Sequence, residues 1–289
     1  MNKNDYDTLE KKYRRWKIAT IILTVILAAM IYFYYDYTVF KILIAGNYVF
    51  TDALDEVYSQ AIGDENVKGY FRDFDRMVIS VVTERLRSAS GDKYTYLFTP
   101  QSYKFSKEAE KADAALTEIS KIDEDNVYLL IPNMSKNSRK YVLSHKDELA
   151  KYRNITIDLR DNYGGMLSDF YKIAQLFLDK GVTIGYENTR VPLFTRHIRS
   201  KGDKYLVFDN ITILQNQYTA SSAEGFIMAL NENLDNVELR GSRTFGKGIG
   251  QVTLPLTGGY AVKATIMLVA APDGSTIHGM GIEPDIVFQ

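Results

Sequence analysis

From Val127 onward the chain alternates short apolar runs with longer amphipathic stretches, and this alternation limits its fold more than any other feature. Val127–Ile131, Ile155–Leu159, Ile211–Leu214 and Val237–Arg240 are each four or five residues long, which suits strands rather than helices. Between them, Met166–Leu178 places Leu167, Phe170, Ile173, Ala174 and Phe177 on one stripe, with Gly181 as its stop. Ser221–Leu234 does the same with Ala223, Phe226, Ile227, Leu230 and Leu234. Gln251 to Ala271 reads as strand, with Gly258-Gly259 marking a hairpin. Strands alternating with helices predict an α/β core of parallel strands.

Upstream of that core the pattern changes. Ile18–Tyr35 is an uncharged run of 18 residues ending in the aromatic cluster Tyr32-Phe33-Tyr34-Tyr35. Its length and aromatic edge fit one transmembrane helix. Lys11, Lys12, Arg14, Arg15 and Lys17 precede it, and Asp36 follows. The positive-inside rule then places the N-terminus in the cytoplasm and the remainder outside the cell membrane. The alternative is a cleaved signal peptide, although no small-x-small cleavage site lies just after the run. Residues 52–89 carry Val67, Phe71, Phe74, Val78, Val81, Val82 and Leu86 at helical spacing, and Gly91-Asp92 breaks the pattern. Residues 101–126 are rich in Lys and Glu and predict one helix from Glu108 to Ile119.

Composition excludes several classes of chemistry. There are no cysteines, which removes disulfides, thiolate catalysis and Cys-based zinc sites. The formal net charge of −1 gives no field that would favour nucleic acid. His145, His197 and His278 are scattered and form no zinc-binding motif. No Gly-x-Ser-x-Gly elbow, phosphate-binding loop or dinucleotide fingerprint is present. No cofactor is implied.

Two short segments carry the chemistry that remains. Ser221-Ser-Ala-Glu224 is a capping box at a helix start, and local spacing alone favours that structural role. The same position would set a serine among unpaired N–H groups, which favour a developing anion. Ser222 and Thr219 are the competing hydroxyls. Lys247, between Gly246 and Gly248, is by itself an ordinary surface lysine. Desolvated, with Phe245 as its shield, it becomes able to accept a proton from a serine. Gly164-Gly165 ends a strand and lets a carbonyl approach the backbone closely. Asp158 and Arg160, two apart on that strand, read as a structural ion pair.

Taken in order, Ile157-Asp-Leu-Arg-Asp-Asn-Tyr-Gly-Gly165, Thr219-Ala-Ser-Ser-Ala-Glu224, Thr244-Phe-Gly-Lys-Gly248 and the closing Gly281-Ile-Glu-Pro-Asp285 resemble the motifs of the C-terminal processing peptidases, or tail-specific proteases. The resemblance covers residues 127–289 well and 90–100 weakly. It implies a core like that of the crotonase and caseinolytic-protease superfamily. It makes Ser221 the nucleophile and Lys247 the general base. It places the oxyanion donors at Gly164, Gly165 and Ser222, and gives Glu224 and Thr244 supporting roles. Asp92-Lys-Tyr-Thr-Tyr96 resembles the segment that precedes a PDZ module in many relatives, but 101–126 is too short to be one. The expected organisation is a cytoplasmic tail at 1–16 and a transmembrane helix at 17–35. A juxtamembrane helical region at 36–100 and a connecting segment at 101–126 lead to the peptidase core at 127–289. The expected partners are a protein or peptide substrate and the membrane, and an oligomer stays open. The alternative is a non-catalytic peptide- or ligand-binding module on the same fold.

Overall fold

The computed structural model describes residues 3–47, 70–112, 116–190 and 192–288. Contacts divide the chain into two compact units, separated between Ser90 and Gly91.

The first unit is helical. Helix α1, Lys3–Asn47, runs for 45 residues, about 68 Å at the usual rise. Among the described residues it contains the one helix long and apolar enough to cross a membrane, over Leu9–Tyr32, and none of that window is buried. The expected run Ile18–Tyr35 lies within α1. Its two threonine hydroxyls are internally satisfied, since Thr20 donates to the Trp16 carbonyl and Thr24 to that of Thr20, each at 2.9 Å. Such satisfaction is what an apolar solvent demands. Helix α2, Tyr70–Ser90, takes up the later part of the helical stretch expected at 52–89, while 52–69 lies outside the described residues.

The second unit opens with strand β1, Tyr96–Phe98, and helix α3, Pro100–Ala112. The helix starts eight residues earlier than the Lys- and Glu-rich composition suggested, and Ile119 belongs to strand β2, Glu118–Lys121. The cause is local. Pro100 suits the first helical position, and Thr99 Oγ1 accepts from Ser102 N at 3.2 Å.

Strand β3, Asn126–Leu130, follows, then helices α4, Lys136–Ser144, and α5, Lys146–Leu149. Next come strand β4, Asn154–Asp158, and helix α6, Leu167–Ala174. Strands β5, Thr183–Thr189, and β6, Arg196–Arg199, precede β7, Asn210–Gln215. Helix α7, Ser222–Asn231, and strands β8, Val237–Gly241, β9, Ile249–Pro255, β10, Ala261–Ala270, and β11, Ile286–Val287, complete the chain. Helix α6 ends sooner than its apolar stripe. Past Ala174 the N–H groups of Leu176 and Phe177 bond three residues back, so the tightened turn keeps Phe177 buried without regular helix.

Two sheets form. The first has the order β11-β8-β7-β4-β3-β2, parallel except for antiparallel β2 at its edge. The second is antiparallel, with order β1-β10-β5-β6 and β9 also paired to β10. Ile155, Ile157, Ile211 and Ile213 are buried on the central strands and join Phe170, Phe177 and Phe226 in one core. Each such side chain contributes about 1.5–3 kcal/mol on burial. The rings of Phe177 and Phe226 meet edge to face at 6.0 Å. Gly225 permits this packing of α6 on α7, because a Cβ there would lie 2.9 Å from the Phe170 ring.

This topology positions the site. Strands β4, β7 and β8 are parallel neighbours. Each gives way at its C-terminal end to one of the segments singled out from the sequence. Gly164-Gly165 follows β4, Ser221 follows β7 and Lys247 follows β8. Open parallel sheets bind ligands at that edge.

Candidate active site

Ser221 stands at the start of α7 with φ 59° and ψ −121°. A non-glycine residue in this region is strained, and such strain collects where surrounding structure enforces a functional geometry. An ordinary N-cap is extended instead. Several contacts enforce the turn. Ala220 N donates to the Asn162 carbonyl at 2.9 Å, and the Thr219 hydroxyl donates to the Leu159 carbonyl at 2.8 Å. The competing hydroxyls are removed by burial. Thr219 and Ser222 are both 0% exposed, and Ser222 Oγ has no hydrogen-bond partner. Ser221 is partly open to solvent.

Glu224 connects the serine turn to the lysine turn. Its carboxylate is fully buried. It accepts from Ser221 N at 2.7 Å, Lys247 N at 2.9 Å, Gly246 N at 2.7 Å and the Thr244 hydroxyl at 2.5 Å. Four donors satisfy a buried carboxylate that would otherwise be costly. Thr244 Oγ1 in turn accepts from Ile282 N at 2.7 Å, in the closing Gly281-Ile-Glu-Pro-Asp285 segment. Phe245 N donates to the Thr219 carbonyl at 3.0 Å, a second tie between the two turns.

Lys247 is half-buried, and its amine is held below the usual lysine range. Burial is the main cause and nearby Lys263 adds to it, while Glu224 opposes both. Phe245 does not provide the shield expected of it. The ring over Lys247 Nζ belongs to Tyr94, with its centroid 4.8 Å away. Phe245 is 54% exposed and lines a separate cavity of about 480 Å³ with Gln217, Ser242, Arg243, Thr244, Gly279 and Met280. No hydrogen bond joins Ser221 Oγ to Lys247 Nζ.

The Gly-Gly turn abuts the serine. Gly164 has φ 97°, and a Cβ there would meet the Ala220 carbonyl at 2.7 Å, Ser221 Cβ at 2.8 Å and Ser222 N at 3.1 Å. Only glycine fits both the conformation and the space. Asn162, unassigned from sequence, fixes the turn. Its Oδ1 accepts from Gly164 N at 2.9 Å and its Nδ2 donates to the Ile131 carbonyl at 2.8 Å. An Asn two residues before a glycine is the signal that could have disclosed it. The N–H groups of Gly165 and Ser222 have no acceptor among the described residues. On the strand leaving the lysine turn, Gln251 has a buried Nε2 without a partner.

Asp158 stays outside this constellation. Burial opposes its ionisation, but hydrogen bonds from Arg160 and Tyr128 outweigh that and hold its carboxyl below the usual range. Arg160 Nη2 lies 2.6 Å from Asp158 Oδ2, the structural pair that the strand spacing suggested. Among the described residues no cluster of His, Asp and Glu could hold a metal ion.

Ser221 on a strained strand-to-helix turn and the half-buried Lys247 on a second turn are thus joined through Glu224. Comparison with known proteins narrows the class. The model of Peptidase family S41 matches residues 125–288, and the chain belongs to that family. It is 36% identical over 151 residues to a probable CtpA-like serine protease of Staphylococcus aureus strain N315, and 35% identical over 150 residues to one of Staphylococcus epidermidis. Each match covers 50% of this chain and 29% of the relative, so the chain spans under a third of those curated relatives in the matched region. Among solved structures, a lipoprotein from Streptococcus agalactiae shares the fold at TM-score 0.58, with 20% identity over 81% of this chain and 84% of that one. The photosystem II D1 C-terminal processing protease shares it at 0.50, with 24% identity over 57% and 42%.

Proposed function

We propose that the chain is a membrane-anchored serine endopeptidase that cleaves extracytoplasmic proteins or peptides with a Ser221–Lys247 dyad. The observation that carries this reading is the Glu224 carboxylate, which bonds the backbone N–H groups of both residues and so sets their turns side by side. A module that only binds peptides has no need of a strained serine or a desolvated lysine.

In this reading neutral Lys247 Nζ takes the proton from Ser221 Oγ as the oxygen attacks the substrate carbonyl carbon. The N–H groups of Gly165 and Ser222 receive the oxyanion, with Gly164 giving the carbonyl room to approach. The tetrahedral intermediate collapses and the C–N bond breaks. Lys247 passes its proton to the leaving amine, and an acyl-enzyme ester remains on Ser221. Water then attacks that ester while Lys247 takes its proton, and Lys247 passes that proton to Ser221 Oγ as the acyl–oxygen bond breaks and the acid product departs. Depression of the lysine's affinity for protons favours the neutral base near pH 7.

Residues 101–126 stand in place of a PDZ module in this reading, since they hold part of α3 and an edge strand of the core sheet. The uncharged run Ile18–Tyr35 in α1 and the basic residues before it support an anchor with the peptidase outside. Anchoring raises the effective concentration of membrane-borne substrates, which could compensate for a missing tail-binding module. The test compares protein termini at the surface of cells carrying wild-type or Ser221→Ala protein. New termini that depend on Ser221 are expected. Identical sets in the two strains sink the proposal.

A further inference from the structure

The segment before β1 reaches the lysine from a part of the chain more than 150 residues away in sequence. Asp92 folds it into a tight turn, with Oδ1 accepting from Tyr94 N at 2.8 Å and Oδ2 accepting from the Thr95 hydroxyl at 2.6 Å. Thr95 Oγ1 also accepts from Thr265 N at 2.9 Å, which fixes the turn on β10. β1 then pairs with β10 in the register Tyr96 to Lys263. The result of this tethering is the Tyr94 ring over Lys247 Nζ.

We propose that Tyr94 is a positioning residue for the lysine base, capping Nζ with its ring and excluding water from it. The proposal deepens the reading of Ser221 and Lys247 as a dyad and rests on it. Two effects of the ring compete. Its π face attracts the ammonium, weakly at an exposed site and more strongly when desolvated. Removing water from the amine disfavours its charged form, and burial is the largest influence on Lys247. The second effect is larger, so the ring favours the neutral amine. The phenol adds no negative charge of its own. Burial and then Asp92 and Glu224 push its ionisation above the usual tyrosine range, so it is neutral where the enzyme would work.

The other charged groups around the amine come from four elements. Glu224 of α7 faces it, but that carboxylate is engaged by four donors. Lys263 of β10 repels the ammonium and acts in the same direction as the ring. Asp92 lies beside Tyr94 in the turn before β1. His278, in the loop after β10, acts on Asp92, and its backbone N packs against Gly248. None of these groups covers Nζ with an apolar face, and Tyr94 does.

The experiment follows the rate of Ser221 labelling by a fluorophosphonate against pH, in the full-length chain. In that step Ser221 Oγ bonds to phosphorus, fluoride leaves, and the serine proton passes to Lys247. The rate rises with pH as the lysine loses its proton. Tyr94→Ala admits water, and the midpoint of that rise is expected to move up by about one pH unit. Tyr94→Phe keeps the ring and is expected to overlay the wild type. An unmoved midpoint in Tyr94→Ala overturns the proposal, as does a shift in Tyr94→Phe equal to that in Tyr94→Ala. Lys247→Met separates this from failure of the dyad itself. It is expected to abolish labelling, and labelling that survives unchanged in it overturns both readings.

Discussion

Two helices of the second unit begin at a serine, and the two serines are held in different ways. Ser135 opens α4 with extended backbone, φ −114° and ψ 166°, and its Oγ accepts from Ser138 N at 3.2 Å. That is a cap serving its own helix. Ser221 opens α7 at φ 59° and ψ −121°, and the first turn of that helix is tied to a distant loop through Glu224. One serine relaxes into the backbone it stabilises. The other is kept in a disfavoured conformation by contacts from Asn162, Leu159 and Glu224. A serine at a helix start is therefore ambiguous in sequence, and backbone conformation with the identity of its partners resolves it.

The contrast can be broken in three places. The largest effect is expected at Lys247, whose turn Glu224 ties to that of Ser221. Lys247→Arg keeps the charge but cannot accept a proton, and cleavage of a fluorogenic peptide is expected to fall at least about 10³-fold. Turnover near that of the wild type would reduce Ser221 to a cap of unusual shape. Next is Glu224→Gln, which replaces a buried acceptor of four hydrogen bonds by a group that turns an NH₂ toward some of those donors. Stability is expected to drop by about 2–4 kcal/mol and turnover by about 10²-fold, read by denaturant midpoint and peptide cleavage. A variant as stable and active as the wild type would mean that the carboxylate does not organise the two turns. The smallest effect belongs to Ser135→Ala. It is expected to cost about 1 kcal/mol in thermal unfolding and to leave turnover unchanged. If cleavage failed in that variant at full folding, the division of labour between the two serines would be misdrawn.

Much of this molecule was legible because it depends on short-range pattern. The strand runs at Val127, Ile155, Ile211 and Val237 and the two amphipathic stretches gave the parallel α/β core, since burial of one face imposes a period on the chain. Glu224 and Thr244, assigned supporting roles through the resemblance to the processing peptidases, do meet. The start of α3 was misplaced because the Lys- and Glu-rich composition was weighed above Thr99-Pro100, a stronger local signal for a helix start.

Three features required the tertiary structure. Which hydroxyl of Thr219, Ser221 and Ser222 is open to solvent depends on packing around α7, and adjacent residues differ in burial for reasons no local pattern carries. The shield of the lysine is Tyr94 rather than Phe245, because β1 pairs with β10 and brings a remote turn over Nζ. The disfavoured backbone at Ser221 exists only because neighbours outside its own segment hold it there. Sequence by itself fixed the parallel core and the residue types that could form the dyad, since periodicity and side-chain chemistry are properties of the chain. Tertiary structure decided the approach of the serine and lysine turns and what covers the amine, since those are set by strand pairing across long separations.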